Sequence, residues 1–151
     1  MKRAQRLEQV QRVVDDQERR RAETLAACEC RLTESESKLA ELQSYHANYV
    51  RDFTLRCRSG MDSAALRDFQ TFLARLEEAL RQQTLVVTRA RATRDGELQN
   101  WQGAAQRAQV VGQMVKRFQT EEIRELERRE QHEADERSQR AWTYGLASRG
   151  I

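Results

Sequence analysis

The sequence contains no proline and only six glycines among its 151 residues. Proline interrupts helices and glycine weakens them, so nearly every position is compatible with a helix interior. Ala, Leu, Glu, Gln and Arg dominate the composition, and all five favour helices. Charged residues make up 34% of the chain and hydrophobic residues 38%, which leaves too little apolar surface for a thick globular core. The composition therefore predicts an all-α protein with a thin core.

Motifs that build catalytic or cofactor sites are also lacking. The sequence has no glycine-rich phosphate loop, no His-Glu-x-x-His segment and no nucleophile elbow. The three cysteines, Cys28, Cys30 and Cys57, are an odd number without metal-ligand spacing, and His46 and His132 lie far apart. We therefore expect a protein that is not an enzyme and binds no metal, cofactor or small-molecule substrate. The cysteines indicate reduced thiols in a reducing compartment.

The sequence also lacks an apolar run long enough to cross a membrane, and no apolar region of a signal peptide follows the basic N-terminus. A cytoplasmic protein is expected. The net charge is +3 and the pI is about 9.0, values that could indicate nucleic-acid binding. However, Arg alternates with Glu over residues 121–128, as on a solvated helix face, and no aromatic platform for bases is interleaved. We therefore expect no nucleic acid among the partners.

Apolar residues recur at alternating steps of three and four in two long segments, which predicts two coiled-coil helices. The first seam is Leu25, Cys28, Leu32, Ser35, Leu39, Leu42, His46, Tyr49 and Phe53. The second seam is Leu66, Phe69, Leu73, Leu76, Leu80, Gln83, Val87, Ala90, Arg94, Glu97, Trp101, Ala104, Ala108, Val111, Val115 and Phe118. Upstream, Leu7, Val10 and Val14 have the same spacing, but joining them to Leu25 through Arg21 needs two consecutive steps of four. This predicts a stutter.

One strong turn signal separates the two seams. Gly60 can adopt a positive φ, and Asp62 or Ser63 can cap the helix that follows. The sequence therefore predicts an antiparallel two-helix coiled coil, an α-helical hairpin whose second helix is longer than the first. We expect a single domain, residues 1–151, with helix one at about 3–57, a turn at about 58–62, helix two at about 63–140 and a frayed C-terminal tail at 141–151.

An apolar strip is expected beside the seam, close to the turn. In an antiparallel pair, residues whose numbers add to about 120 stand opposite one another. The strip is formed by Leu42, Tyr45 and Tyr49 of helix one and Phe72, Leu76 and Ala79 of helix two, with Lys38 and Gln83 as one further pair. Tyr45, Phe72 and Ala79 lie off the strict seam, and an aromatic strip with hydroxyl groups is typical of protein-binding surfaces. A core that broadens near the turn is the alternative.

The spacing of these residues resembles the FliJ family. The matching residues are Leu42-x-x-Tyr45-x-x-x-Tyr49, then Gly60, then Phe69-Gln70-x-Phe72-x-x-x-Leu76-Glu77-x-Ala79-x-x-Gln82, and finally Trp101. The resemblance covers nearly the whole chain, and the chain length is also similar. It implies a component of the flagellar type III export apparatus, with a fold similar to the central γ stalk of rotary ATPases.

The resemblance further implies three kinds of protein partner. Members of the family bind the hexameric export ATPase in its central pore and promote its assembly, couple it to the membrane export gate, and escort export chaperones. The implied location is the flagellar base, by peripheral association with the inner membrane. The implied gate-binding residues are Leu42, Tyr45, Tyr49, Phe72, Leu76 and Ala79, while at Lys38 and Gln83 the family often has other polar residues. The ATPase-facing part would combine the N-terminal turns with the end of the second helix, and the resemblance implies no individual residue there.

Other functions stay open at the level of sequence. The equivalent stalk of a virulence type III injectisome has the same class of fold and role, and the ATPase that it binds would distinguish it. A basic coiled-coil protein that binds nucleic acid would bind duplex tightly and lose affinity steeply with salt. A scaffold coiled coil would form a stable symmetric oligomer instead of a monomeric hairpin.

Overall fold

The computed structural model describes residues 2–150. Over these residues the chain forms two α-helices, α1 (Lys2–Ser59) and α2 (Ser63–Arg149), and no β-strand. The chain reverses direction once, α2 is longer than α1, and contacts between the two helices follow an antiparallel register. The structure thus confirms the predicted all-α, antiparallel two-helix hairpin. Met1 and Ile151, the last residue of the predicted tail, lie outside the described residues.

The reversal occupies residues 60–62, as the turn signal predicts. Gly60, directly after the last residue of α1, has a φ of 96°, a conformation that glycine adopts without the steric cost of a β-carbon. Asp62 caps α2, because its Oδ1 accepts a hydrogen bond of 2.8 Å from the N–H of Ala65. Its backbone carbonyl accepts a second bond, of 3.1 Å, from Leu66. The cap therefore satisfies N–H groups that the first turn of α2 cannot pair internally.

The second helix extends further than the sequence predicts. Instead of ending near residue 140, α2 continues to Arg149. The segment from Ala141 contains no proline, so no residue in it blocks a helix. The N–H of Gly150 donates a 3.0 Å hydrogen bond to the carbonyl of Leu146 just beyond the helix end. Fraying of this tail in solution stays a prediction.

The chain divides into two compact units. The turn unit is Arg19–Gly103, and the terminal unit comprises the chain up to Glu18 together with the chain from Ala104 onward. That residues 1–151 form a single domain stays a prediction.

In the turn unit, the buried residues all lie at predicted seam positions. They are Leu25, Cys28, Leu32, Ser35, Leu76 and Val87. The Ser35 hydroxyl donates to the carbonyl of Leu32 at 2.9 Å, and the Gln83 side chain donates to the carbonyl of Ser35, also at 2.9 Å. The second bond links α2 to α1, so a polar pair inside the seam holds the register of the two helices.

In the terminal unit the core is made of smaller side chains, namely Ala4, Ala104 and Val115. Here one predicted seam position is wrong. Val10 is exposed, and Gln11 is half-buried in its place. A β-carbon on Gly112 would lie 3.4 Å from the Gln11 side-chain nitrogen, so the missing side chain of this glycine leaves room for the glutamine. With Gln11 on the seam, the steps of three and four alternate from Ala4 to Glu18. The next half-buried residue is Ala22, because Arg21 is exposed, so two consecutive steps of four remain in α1 but lie at other residues than predicted.

The last part of α2 is exposed throughout. Every residue from Ile123 to Gly150 is classed as exposed, including Trp142 and Tyr144. Among residues 2–150, neither helix contains a stretch apolar and long enough to span a membrane.

Candidate functional site

The aromatic strip, defined as Leu42, Tyr45, Tyr49, Phe72, Leu76 and Ala79, lies within the turn unit. Its two halves come from consecutive turns of α1 and α2, and the antiparallel register brings them together. The ring centroids of Tyr45 and Phe72 are 6.2 Å apart with an edge-on geometry, and those of Tyr49 and Phe72 are 4.6 Å apart. Tyr45 and Tyr49 of α1 therefore lie beside Phe72 of α2.

The strip continues into a larger aromatic cluster toward the turn. The Tyr49 ring lies 4.7 Å from the Phe69 ring, and the Phe69 ring lies 5.2 Å from that of Phe53. The Arg56 guanidinium stands 5.4 Å from the centre of the Phe69 ring, a cation–π geometry. Sequence reasoning placed Phe53 and Phe69 on the seam but did not include them, or Arg56, in the site. The four-residue step from Tyr49 to Phe53 and the three-residue step from Phe69 to Phe72 place these rings on adjacent helical turns, and this spacing could have indicated the larger cluster.

The six strip residues differ in how much of each side chain a partner could contact. Tyr45 is 53% exposed and Phe72 is 38% exposed, so both present apolar surface to solvent. Leu42, Tyr49 and Ala79 are half-buried, and Leu76 is only 6% exposed. Tyr45 and Phe72 therefore form the accessible part of the strip, while Leu76 packs in the core beneath it.

The further pair, Lys38 and Gln83, lies at one end of a shallow depression of about 370 Å³. The residues that line this depression are Lys38, Glu41, Leu42, Tyr45 and Gln83. Lys38 is exposed. Gln83 is half-buried, and its side-chain amide donates the hydrogen bond to the Ser35 carbonyl. The two residues therefore differ in accessibility. The exposed Lys38 side chain could contact a partner, whereas the Gln83 side chain links the two helices.

Charged residues of α2 that are close to the strip in sequence make polar contacts of their own. The imidazole Nε2 of His46 lies 3.7 Å from Oε1 of Glu77, and the histidine is half-buried at its predicted seam position. On the exposed side, a hydrogen bond from Gln82, another from Arg81 and the charge of Arg81 hold the pKa of Glu78 below its usual value.

The cysteines and histidines do not come together. Cys28 is buried, while Cys30 and Cys57 are exposed free thiols. Within the described part of the chain, no group of three or more His, Cys, Asp or Glu side chains is arranged to hold a metal ion. The aromatic strip is therefore the feature on which a functional interpretation can be built.

Comparison with models of known protein families extends the agreement beyond the strip. Residues 1–145 match the model of the flagellar FliJ protein, which is nearly the whole chain. The chain belongs to the FliJ family. FliJ proteins are non-catalytic components of flagellar protein export, so this chain is a flagellar export-related protein. No curated protein and no solved structure shows significant similarity to it.

Proposed function

We propose that this FliJ-family protein binds the membrane export gate through the aromatic strip. The observation that carries the proposal is the pair of exposed rings, Tyr45 on α1 and Phe72 on α2, in edge-on contact at 6.2 Å. Exposed aromatic side chains close together supply a large apolar contact area, and tyrosine adds a hydroxyl group for a hydrogen bond. Such clusters provide much of the binding free energy of protein interfaces.

The packing beneath the strip supports the same role. The Phe72 ring rests against the Tyr49 ring at 4.6 Å, and Tyr45 stacks on Tyr49 at 6.4 Å. Both exposed rings are therefore held in position before a partner arrives. Binding then loses less side-chain entropy than it would if the rings were free to rotate. Leu76 contributes by supporting this arrangement from the core, and Leu42 and Ala79 complete the border of the strip.

The proposal includes the other partners that the resemblance implies. The protein binds the hexameric export ATPase in the manner of a γ stalk, promotes its assembly and activity, couples it to the gate and escorts export chaperones. It does so at the flagellar base, peripherally associated with the inner membrane. Membership of the FliJ family favours the flagellar apparatus over a virulence injectisome.

The gate contact is tested by binding of the purified gate protein's soluble domain to full-length variants. Tyr45→Ala and Phe72→Ala should each weaken binding by about tenfold or more, because each removes an exposed aromatic anchor. Leu85→Ala is the matched control, since Leu85 is also an exposed apolar residue of α2 in the turn unit but lies outside the strip. Circular dichroism should show equal helicity for all three variants. Unchanged affinity of the two aromatic variants would remove the strip from the account.

The ATPase contact is tested separately. Addition of the purified chain to the flagellar export ATPase should increase hexamer formation and ATP turnover. An injectisome ATPase serves as the comparison. A response from the injectisome enzyme alone would assign the protein to the virulence system instead.

A further inference from the structure

The terminal unit has an exposed apolar patch of its own. We define the valine–methionine patch as Val10 and Val13 of α1 with Val110 and Met114 of α2. These side chains are between 39% and 56% exposed. None of them belongs to the seam, because the buried and half-buried residues of the terminal unit follow a different set of positions.

The heptad positions place the four residues on one flank of the helix pair. With Ala4 at position a, Val10 falls at g and Val13 at c; with Ala104 at position d, Val110 falls at c and Met114 at g. In an antiparallel pair, g positions flank g positions and e positions flank e positions. The 2.9 Å hydrogen bond between Glu8 and Gln119 joins two e positions and so marks the opposite flank. The patch is therefore one continuous surface contributed by both helices.

The border of the patch is basic. Arg6 of α1 and Arg107 and Arg117 of α2 occupy the neighbouring c and g positions, and all three are exposed. None of them forms an ion pair with any residue between Lys2 and Gly150. The opposite flank is different, because Glu8 and Asp15 there alternate with Arg12 and Lys116. One carboxylate, Glu121 at the next g position of α2, also lies on the patch flank, so the border there is net basic but not free of acidic groups.

We propose that the valine–methionine patch is a second docking surface, for a partner protein whose own surface has an apolar centre bordered by carboxylates. Charge complementarity selects this partner, because the three arginines would each face an acidic group. A second copy of this chain would bring like-charged borders together, which is unfavourable. Nucleic acid would pair with the arginines but would leave the four apolar side chains without a partner. The proposal does not rest on gate binding by the aromatic strip.

Photo-cross-linking in motile cells tests the proposal on the full chain. The photoreactive amino acid p-benzoylphenylalanine is introduced at position 13, within the patch, or at position 15, on the opposite flank. Position 13 should give a discrete adduct with another protein, at least about tenfold more abundant than any from position 15. Mass spectrometry should map the adduct to an apolar segment flanked by Asp or Glu.

Charge reversal supplies the second part of the test. Arg107→Glu combined with Arg117→Glu should reduce the position-13 adduct at least about fivefold, because two attractive pairs become repulsive. Arg12→Glu, an exposed arginine on the opposite flank, is the matched control and should leave the yield unchanged. The proposal is overturned if position 13 gives no adduct, or if its adduct is with a second copy of the chain or with nucleic acid. It is also overturned if the adduct maps to a segment without acidic residues, or if the charge reversal leaves the adduct yield unchanged.

Discussion

The turn unit and the terminal unit are built from the same two helices but bury different side chains. The turn unit buries leucines such as Leu32 and Leu76, and its rings form a cluster that reaches from Tyr45 to Phe53. The buried residues of the terminal unit are small, with Ala4 and Ala104 among them. Two-helix proteins have no second layer, so stability in each unit depends on what its seam buries.

Because their cores differ, we expect the two units to bind partners in different ways. In the turn unit, the exposed rings rest on a wide aromatic base and are fixed in position. In the terminal unit, small seam residues leave little apolar surface buried, while Val10 and Val13 remain exposed beside the seam. We therefore expect a rigid binding surface in the turn unit and a less stable terminal unit, which partner binding would stabilise.

Core truncations should show the largest contrast. Leu32→Ala in the turn unit should lower the free energy of unfolding by about 2–3 kcal/mol, because the side chain is buried and leaves a cavity. Val115→Ala in the terminal unit should cost about 1–2 kcal/mol, since it removes only the two methyl groups of the valine, one carbon fewer than Leu32→Ala removes. Urea unfolding followed by circular dichroism measures both values. Equal costs would mean that the two cores are equally well packed.

Replacing glycine by alanine should destabilise the protein at the turn, although the same replacement stabilises an ordinary helix position. Gly60→Ala should destabilise the protein by about 1–2 kcal/mol, because a β-carbon is disfavoured at a φ of 96°. Gly96→Ala is the matched control: this glycine lies inside α2 with open space around it, so alanine should stabilise by about 0.5–1 kcal/mol. Thermal unfolding would show melting temperatures moving in opposite directions. A shift of the same sign for both variants would argue against the observed turn.

The hydrogen bond between the helices should contribute more to stability in the turn unit than in the terminal unit. Gln83→Ala removes the half-buried bond to the Ser35 carbonyl and should cost about 1 kcal/mol. Gln119→Ala removes the exposed bond to Glu8 in the terminal unit and should cost less than about 0.5 kcal/mol. The two urea midpoints give the comparison. A larger loss from Gln119→Ala would reverse the assignment of the stronger link to the turn unit.

The smallest effect is expected from the ionisation of Glu78. Because the pKa of Glu78 is lower in the folded protein than its ordinary value of 4.5, its ionised form stabilises the fold at pH values above 4.5. This contribution is lost as the pH falls below 4.5 and through the folded-state pKa. Glu78→Gln should therefore slightly reduce stability at pH 7 and make no difference at the acid end of the titration. A stability difference that persists unchanged into acid would contradict this origin.

The helical periodicity of the sequence was sufficient to predict most of the fold. Seam positions such as Leu25 and Val87 follow from apolar spacing, and the turn follows from Gly60 and Asp62 because each has a local conformational role. The misplaced seam at Val10 has a different cause. Apolar spacing favours valine over Gln11, but Gly112 on the other helix makes room for the longer side chain, and a pattern read along one helix does not include its neighbour.

The candidate site was predictable only in part for a related reason. The register placed Tyr45 and Phe72 together, but the sequence does not distinguish an exposed strip residue from a buried one at a seam position. Leu76 belongs to both sets, and the structure shows that its side chain is buried. The extension of the cluster to Phe53 and Arg56 depends on side-chain directions, which residue spacing does not specify.

An NMR titration most directly tests whether segments distant in sequence form one binding strip. The full chain, labelled at its aromatic side chains and valine methyl groups, is titrated with the unlabelled soluble domain of the export gate. The account predicts that the Tyr45 and Phe72 ring signals shift together, at a single midpoint, while the methyl signals of Val13 stay unchanged. Shifts confined to the residues of one helix, or to the terminal unit, would contradict it.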